Sequence, residues 1–361
     1  MKILLEMQLH PIQPRQFLGL QNSMKAVFIT EANQKIGLGH LKRCCALALE
    51  LKIDNIVDVE IILPEVNEEN SKILEQEKII YFNFMDRVDF LRNLNTHELF
   101  FIVDVKSIFY DRFIQEFASK DVKIFGIDDF THRNLNYTAN FAPPTSVVPE
   151  NFKDLQRDYN FIGWDWVPIQ NELWAADNLQ KTKKNNILLL FGGSDADRLS
   201  IPSCKHFTQN MEKNQFTLVG GPLMLENDFS VCQLIANESM NLSVTKSPAN
   251  LFHLMSKNRF SITSFGHTFY ELIALRNYPL GIYRSDLEVE GLLSSDNSLD
   301  DYLISLDEYK NLLEKDLKSE AIEFWGARFD TLNEKNQFLE ELSHKLHLGC
   351  SNIKNVIYNA I

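Results

Sequence analysis

A histidine set among glycines at the start of a helix can combine acid–base chemistry with anion binding, and Gly37-Leu38-Gly39-His40-Leu41-Lys42-Arg43 is such a stretch. Imidazole titrates nearest to neutral pH, so His40 can take or return a proton when a reacting water or hydroxyl lies beside it. The glycines let the backbone turn sharply and approach a ligand, and the free N–H groups of the following helix favour an anionic group. A loop histidine that only caps structure fits the same residues. Two further glycine loops occur in the second half, Phe191-Gly192-Gly193-Ser194-Asp195 and Phe265-Gly266-His267-Thr268. His267 is a second proton carrier in such a loop. Glu271, one helical turn beyond it, can accept hydrogen bonds from vicinal hydroxyls such as those of a ribose, or serve only as an acid favoured at a helix start.

These loops need rigid elements to hold them. The run Lys25 to Thr30 is β-branched and apolar, whereas Cys44 to Leu51 is made of strong helix formers, so the histidine loop joins a strand to a helix. Val57 to Leu63 and Lys78 to Phe82 read as further strands, with a charged helix between them from Asn67 to Gln76. Leu99-Phe100-Phe101-Ile102-Val103-Asp104 is an apolar run closed by an acid, the pattern of a parallel strand covered on both faces with its last residue at the carboxyl edge. An amphipathic helix from Asp111 to Ser119 leads to a strand from Val122 to Ile127, closed by Asp128-Asp129. After a proline-rich stretch a second series begins, with strands at Ile187 to Phe191, Phe216 to Val219, Phe260 to Ser264 and Tyr278 to Tyr283, and an apolar helix at Phe269 to Leu275. Alternation of this kind predicts open parallel α/β sheets with helices on both faces and a ligand crevice at the strand ends.

A chain of 361 residues with 45% hydrophobic content has material for two cores. The lysine- and asparagine-rich stretch from Gln180 to Asn186 marks the boundary, giving domains at 24–180 and 181–330 and a helical segment at 331–361. Trp325 to Leu346 is expected to pack back across the domains. Residues 1–23 precede the first convincing strand and read as an extension. The net charge of −13 repels nucleic acid and anionic membrane, so an anionic ligand must be held locally by loop amides and a few basic side chains. No stretch approaches the roughly 20 apolar residues of a membrane span. The five cysteines include no C-x-x-C pair and read as reduced thiols of a cytoplasmic protein.

In order along the chain, Gly37-Leu38-Gly39-His40 with Arg43, Ile127-Asp128-Asp129 with Arg133, Phe191 to Asp195, and Thr268 with Glu271 resemble UDP-2,4-diacetamido-2,4,6-trideoxy-β-L-altropyranose hydrolase, a pseudaminic acid pathway enzyme related to MurG-like glycosyltransferases. The resemblance spans roughly residues 24 to 284. It implies a GT-B-like fold of two Rossmann-like domains and a UDP-sugar substrate in the cleft between them. It further implies release of UDP by water, with inversion and without a metal or other cofactor, in nonulosonic acid or surface-glycan biosynthesis. By the same resemblance His40 is catalytic, and Gly37, Gly39, Arg43, Asp129, Gly192, Gly193, Ser194, Gly266, His267, Thr268 and Glu271 bind substrate or nucleotide. Two departures accompany it. The family has Gly-Gly-Ser-Thr where this chain reads Phe265-Gly266-His267-Thr268, and its Asn-Gln pair after Pro279 has no counterpart in Tyr283 to Glu288. A glycosyltransferase on the same scaffold and a non-catalytic sugar-nucleotide-binding protein are the alternatives.

Overall fold

The computed structural model describes residues 24–129, 137–145, 160–170, 173, 184–295, 297–314, 325, 327 and 336–361. Two wholly parallel sheets organise these residues. The first runs β3-β2-β1-β4-β5-β6-β7, built from Met24–Thr30 (β1), Val57–Leu63 (β2), Ile80–Asn83 (β3), Leu99–Asp104 (β4), Lys123–Ile127 (β5), Ala139–Ala142 (β6) and Asn160–Ile162 (β7). The second runs β10-β9-β8-β11-β12-β13, from Lys184–Leu190 (β8), Phe216–Gly220 (β9), Leu242–Lys246 (β10), Asn258–Ser264 (β11), Tyr278–Tyr283 (β12) and Leu303–Ser305 (β13).

Hydropathy explains the centre of each sheet. All six residues of β4 are buried, because helices cover both faces of a parallel sheet and leave no solvent side for alternation to mark. In both sheets the strand order reverses beside the first strand, between β1 and β4 and between β8 and β11. At such a reversal the connections leave in opposite directions and open a crevice at the carboxyl ends. The β1–β4 register places Thr30 opposite Asp104, so the acid that closes β4 stands at that crevice, next to the loop leaving β1.

The helices around the sheets are Gly39–Lys52 (α1), Glu68–Gln76 (α2), Phe84–Arg92 (α3), Asp111–Ala118 (α4), Ser200–Asn210 (α5), Glu226–Asn237 (α6), Leu251–Lys257 (α7), His267–Ala274 (α8), Glu290–Ser295 (α9), Leu306–Glu314 (α10) and Asn336–Ala360 (α11). Helix α11 ties the domains together. Its Leu339, Leu342 and Leu346 enter the core of the second domain, and Ile353 and Ile357 enter that of the first. Ser343 donates to the carbonyl of Ala274 at 2.8 Å, while Tyr358 donates to that of Leu51 at 2.8 Å and Lys354 pairs with Glu50 at 2.8 Å. The crossing onto the first domain is therefore made beyond Leu346. Trp325 packs in the second domain, its ring 5.2 Å from that of Phe207; of the stretch Trp325 to Leu346 expected to pack back across the domains, residues 326 and 328–335 lie outside the described residues. Gly349 lies against the carbonyl of Val167, in space that a Cβ would fill. The boundary expected at 180/181 and the extension at 1–23 lie outside the described residues, as does Arg133 of the resemblance.

Candidate functional site

The loop between β1 and α1 is shaped by Asn33. Its side-chain oxygen accepts from the amides of Lys35 and Ile36, each at 2.9 Å, and its carbonyl accepts from Gly37 at 2.7 Å. Gly37 has φ +83°, a conformation a side chain would strain. This turn delivers Gly39 to the start of α1 and points His40 and Arg43, three residues apart on one helix face, toward the end of β4.

There the two meet Asp104. Nδ1 of His40 lies 2.5 Å from Asp104 Oδ1. Arg43 donates from Nη2 to the same oxygen at 2.6 Å and from Nε to Oδ2 at 2.5 Å. A second acid, Asp128, stands 3.5 Å from Arg43 Nη1. Burial alone would raise the Asp104 carboxyl, but Arg43 first and then His40 outweigh it and hold the group well below the usual carboxylate range. Burial also opposes the charge on Arg43, and Asp104 with Asp128 overcomes it, so the guanidinium stays protonated. A permanently ionised carboxylate accepts only, so Nδ1 of a neutral His40 carries its proton toward Asp104. Nε2 is left with the lone pair, the form in which an imidazole takes a proton.

A cleft of about 550 Å³ opens beside this cluster, with walls from both domains. Gly37, Gly39, His40 and Arg43 line it from the first domain, and Gly192, Gly193, Ser194, Gly266, His267 and Thr268 from the second. Ten of the twelve site residues expected from the sequence thus face one space. The domains touch at its floor. Leu38 packs where a Cβ on Gly193 would come within 3.1 Å of it, and a Cβ on Gly39 would stand 3.6 Å from Cβ of His267. Thr145 of the first domain and Tyr270 of the second, both buried in the cleft wall, share a hydrogen bond of 3.0 Å between hydroxyls.

The second-domain loops present backbone rather than charge. Gly192 has φ +75° and Gly266 φ +156°, so both turn in conformations that suit glycine. Asp195 closes the first of these loops by accepting from the amides of Leu199 at 2.9 Å and Ser200 at 3.0 Å, which fixes the start of α5. Gly221 packs against the carbonyls of Gly192 and Gly193, leaving no room for a Cβ. His267 and Thr268, whose amides come before the helical ladder of α8, line the cleft, and free amides at a helix start suit phosphate oxygens.

Two expected residues sit elsewhere. Asp129 is buried below the cleft, where its carboxylate accepts from Tyr137 and its amide donates to Asn140 at 3.3 Å; its neighbour Asp128 lines the cleft instead. Glu271 lies behind His267 and does not line the cleft. Burial, reinforced by Arg43 and Lys42 and opposed by Glu271, pushes His267 down to about 4, so at neutral pH its imidazole is uncharged. Phe265 packs its ring 4.9 Å from Phe269, into space left by the missing side chain of Gly281. Where the resembling enzymes have Asn-Gln, Arg284 lines the cleft and is held by Asp197 at 3.0 Å.

The residue that sequence reasoning left out of the site is Asp104. Its signal was an apolar strand ending in an acid, and only the adjacency of β1 and β4 turns that into a partner for His40. Among the described residues no three His, Cys, Asp or Glu side chains gather to hold a metal ion, and no helix is long and apolar enough to cross a membrane.

Comparison of the coordinates with solved structures finds the same architecture in UDP-GlcNAc 2-epimerase from Neisseria meningitidis bound to UDP-GlcNAc, at 12% identity and TM-score 0.58 over 93% of this chain and 99% of that one. The chain has the GT-B fold. MurG from Acinetobacter baumannii matches at 11% identity and TM-score 0.55, over 93% of this chain and 99% of that one. A glycosyltransferase from Rickettsia africae matches at 13% and 0.56, over 94% and 99%. In sequence, the uncharacterized protein MJ1062 of Methanocaldococcus jannaschii is 25% identical over 293 residues, which cover 78% of this chain and 58% of that protein. The chain thus spans little more than half the length of that relative. No protein-family profile matches it.

Proposed function

We propose that this protein hydrolyses a UDP-linked sugar, of the acetamido-deoxy class, by attack of water at the anomeric carbon. The observation that carries the reading is the His40–Asp104 hydrogen bond at 2.5 Å, placed across one cleft from the amide-rich loops of the second domain. The two-domain likeness to a UDP-GlcNAc 2-epimerase solved with UDP-GlcNAc bound supports it.

The diphosphate rests on the amides of Gly193, Ser194, His267 and Thr268, while the sugar extends toward α1. A water beside His40 gives its proton to Nε2 as its oxygen bonds to the anomeric carbon. The bond from that carbon to the diphosphate oxygen breaks, and UDP departs with the electron pair. Asp104 stabilises the imidazolium that forms, and the proton then passes to solvent. The anchored diphosphate needs little further assistance, so orientation of water and electrostatic support supply most of the acceleration. Attack comes from the first-domain side and departure from the second, so the product has inverted configuration. The unpaired, buried thiols of all five cysteines support a reducing, cytoplasmic setting, and the resemblance supports a place in nonulosonic acid or surface-glycan synthesis.

A transferase reading draws on the likeness to the Rickettsia africae glycosyltransferase, since the same base would take the proton of an acceptor hydroxyl. Incubation with a panel of UDP-sugars and no acceptor separates the two. Free UDP and reducing sugar are expected. Release that requires an added acceptor would identify a transferase, and an isomerised UDP-sugar with UDP still attached would identify an epimerase.

A further inference from the structure

Two imidazoles, one from each domain, line the same cleft, and only His40 has been given a task. His267 faces the first domain. A Cβ on Gly39, the residue before His40, would stand 3.6 Å from Cβ of His267, and the imidazole is close enough to Lys42, Arg43 and Asp104 to respond to all three charges. Its nearest acceptor on its own helix is Glu271, one turn along α8, whose Oε1 lies 3.7 Å from Nε2, beyond hydrogen-bond length. Glu271 is 2% exposed, and its Oε2 has no hydrogen-bond partner among the described residues. The ring thus stands between a buried carboxylate on one side and the wall of α1 on the other.

We propose that the His267 imidazole accepts a hydrogen bond from a donor on the sugar, an amide N–H or a hydroxyl, and so selects among UDP-sugars, with Glu271 as a positioning residue that acts through the ring. This rests on the UDP-sugar reading, in which the sugar extends from the second-domain loops toward α1. On that path the amide of His267 serves the diphosphate and its side chain serves the sugar. A carboxylate accepts only, so the nitrogen that faces it, Nε2, carries the proton, and Nδ1 of the neutral ring keeps its lone pair. Burial, with Arg43 and Lys42 nearby, keeps the ring uncharged at neutral pH against the opposing pull of Glu271 and Asp104. A ring in that state takes a donor and gains nothing from an ether oxygen or a deoxygenated carbon, so the discrimination is between sugars that present an N–H or O–H at this point and sugars that do not.

The test is calorimetric binding of UDP, UDP-GlcNAc, its 3-, 4- and 6-deoxy analogues, and UDP-2-deoxyglucose, which lacks the acetamido group. The full chain carries His40→Asn so that no sugar is consumed, and is compared with the same chain bearing His267→Ser, Glu271→Gln or both, with melting temperatures recorded for each. Serine is short and suits a helix start. One analogue is expected to bind about three- to tenfold more weakly than UDP-GlcNAc, the range of one net hydrogen bond. His267→Ser should bring that ratio close to one and weaken UDP-GlcNAc more than UDP. Glu271→Gln should reduce the ratio, and should change nothing further once His267 is serine. A ratio that survives His267→Ser, a His267→Ser loss that is equal for UDP and UDP-GlcNAc, or a Glu271→Gln effect that is the same with and without His267, would overturn the proposal and leave the UDP-sugar reading standing. Failure to bind UDP would overturn both.

Discussion

Replacing Asp104 by asparagine keeps the side chain's shape and removes its charge, and the effect is set by the donors around it. Oδ1 accepts from His40 and from Arg43, and Oδ2 accepts from Arg43. An amide has one oxygen and one NH₂, so one of these positions must become a donor. If NH₂ takes the place of Oδ2 it faces the Nε–H of Arg43. If it takes the place of Oδ1 it faces His40 and also Nη2 of Arg43, and it demands a lone pair on Nδ1 of His40. The proton of His40 then moves to Nε2, where the reaction needs a lone pair. Loss of an orienting carboxylate by this route lowers turnover by roughly a thousand- to ten-thousandfold in comparable triads. Stability falls too, because breaking one side of a buried ion pair costs about 3–5 kcal/mol. Asp128, 3.5 Å from Arg43, and the retained amide oxygen favour the lower end of that range. At about 2–4 °C per kcal/mol, 3 kcal/mol lowers the melting temperature by roughly 6–12 °C. UDP affinity should change little, because the proposed function puts the diphosphate on the second domain. The assays are single-turnover UDP release, calorimetric UDP binding and thermal melting. An Asp104→Asn protein that turns over within tenfold of wild type would refute the orienting role.

The same contacts predict other outcomes. The depressed value of His267, about 4 against an ordinary 6.5, means that the unfolded chain binds a proton between those limits which the folded chain does not. Its contribution is therefore complete above about pH 6.5, falls as pH drops toward 4, and amounts to about 2 kcal/mol of lost stability by pH 5. His267→Asn should show a correspondingly smaller fall in melting temperature between pH 7 and pH 5, and an unchanged slope would contradict it. Asp104 acts with the opposite type of group. Its carboxyl is held low in the fold, so its stabilisation is present above about pH 3.9 and disappears only as pH falls below the usual carboxylate range, and Asp104→Asn should make acid unfolding shallower. Gly349→Ala would drive a methyl into the carbonyl of Val167, displacing α11 at its crossing point. A loss of about 1–3 kcal/mol is expected, and an unaltered denaturation midpoint would show that α11 has slack there.

Legibility in the sequence depended on how local each signal was. The strands β1, β2, β4 and β5 are runs of apolar residues ended by loops or acids, and each is visible in its own window. Strand β6 is not, because Ala139–Ala142 is only four residues long and runs into Pro143. Strand β10 reads Leu-Ser-Val-Thr-Lys at a sheet edge with only its first residue buried, so it lacks an apolar run. Helix α5 contains Pro202 and buries Ser200, Ser203 and Asn210, while α6 buries only Phe229 and Cys232, which leaves both without an apolar stripe that periodicity can detect. The histidine loop and the second-domain glycine loops were visible because glycine placement reports backbone geometry directly. Asp104 was visible as a strand-end acid but not as the partner of His40, since the two are 64 residues apart and meet only through strand order. The shielding of Glu271 depends on the size of the residue at 267, and reading the two positions separately hides it.

The most direct measurement is single-turnover release of UDP from a UDP-sugar, without acceptor, by wild type and His40→Asn, with UDP affinity measured on both. The wild type should release UDP together with a sugar of inverted anomeric configuration. His40→Asn should bind UDP as the wild type does while releasing it roughly a hundred- to ten-thousandfold more slowly, the range for a positioned general base. A folded His40→Asn protein that releases UDP at the wild-type rate would contradict the assignment of His40 as the base.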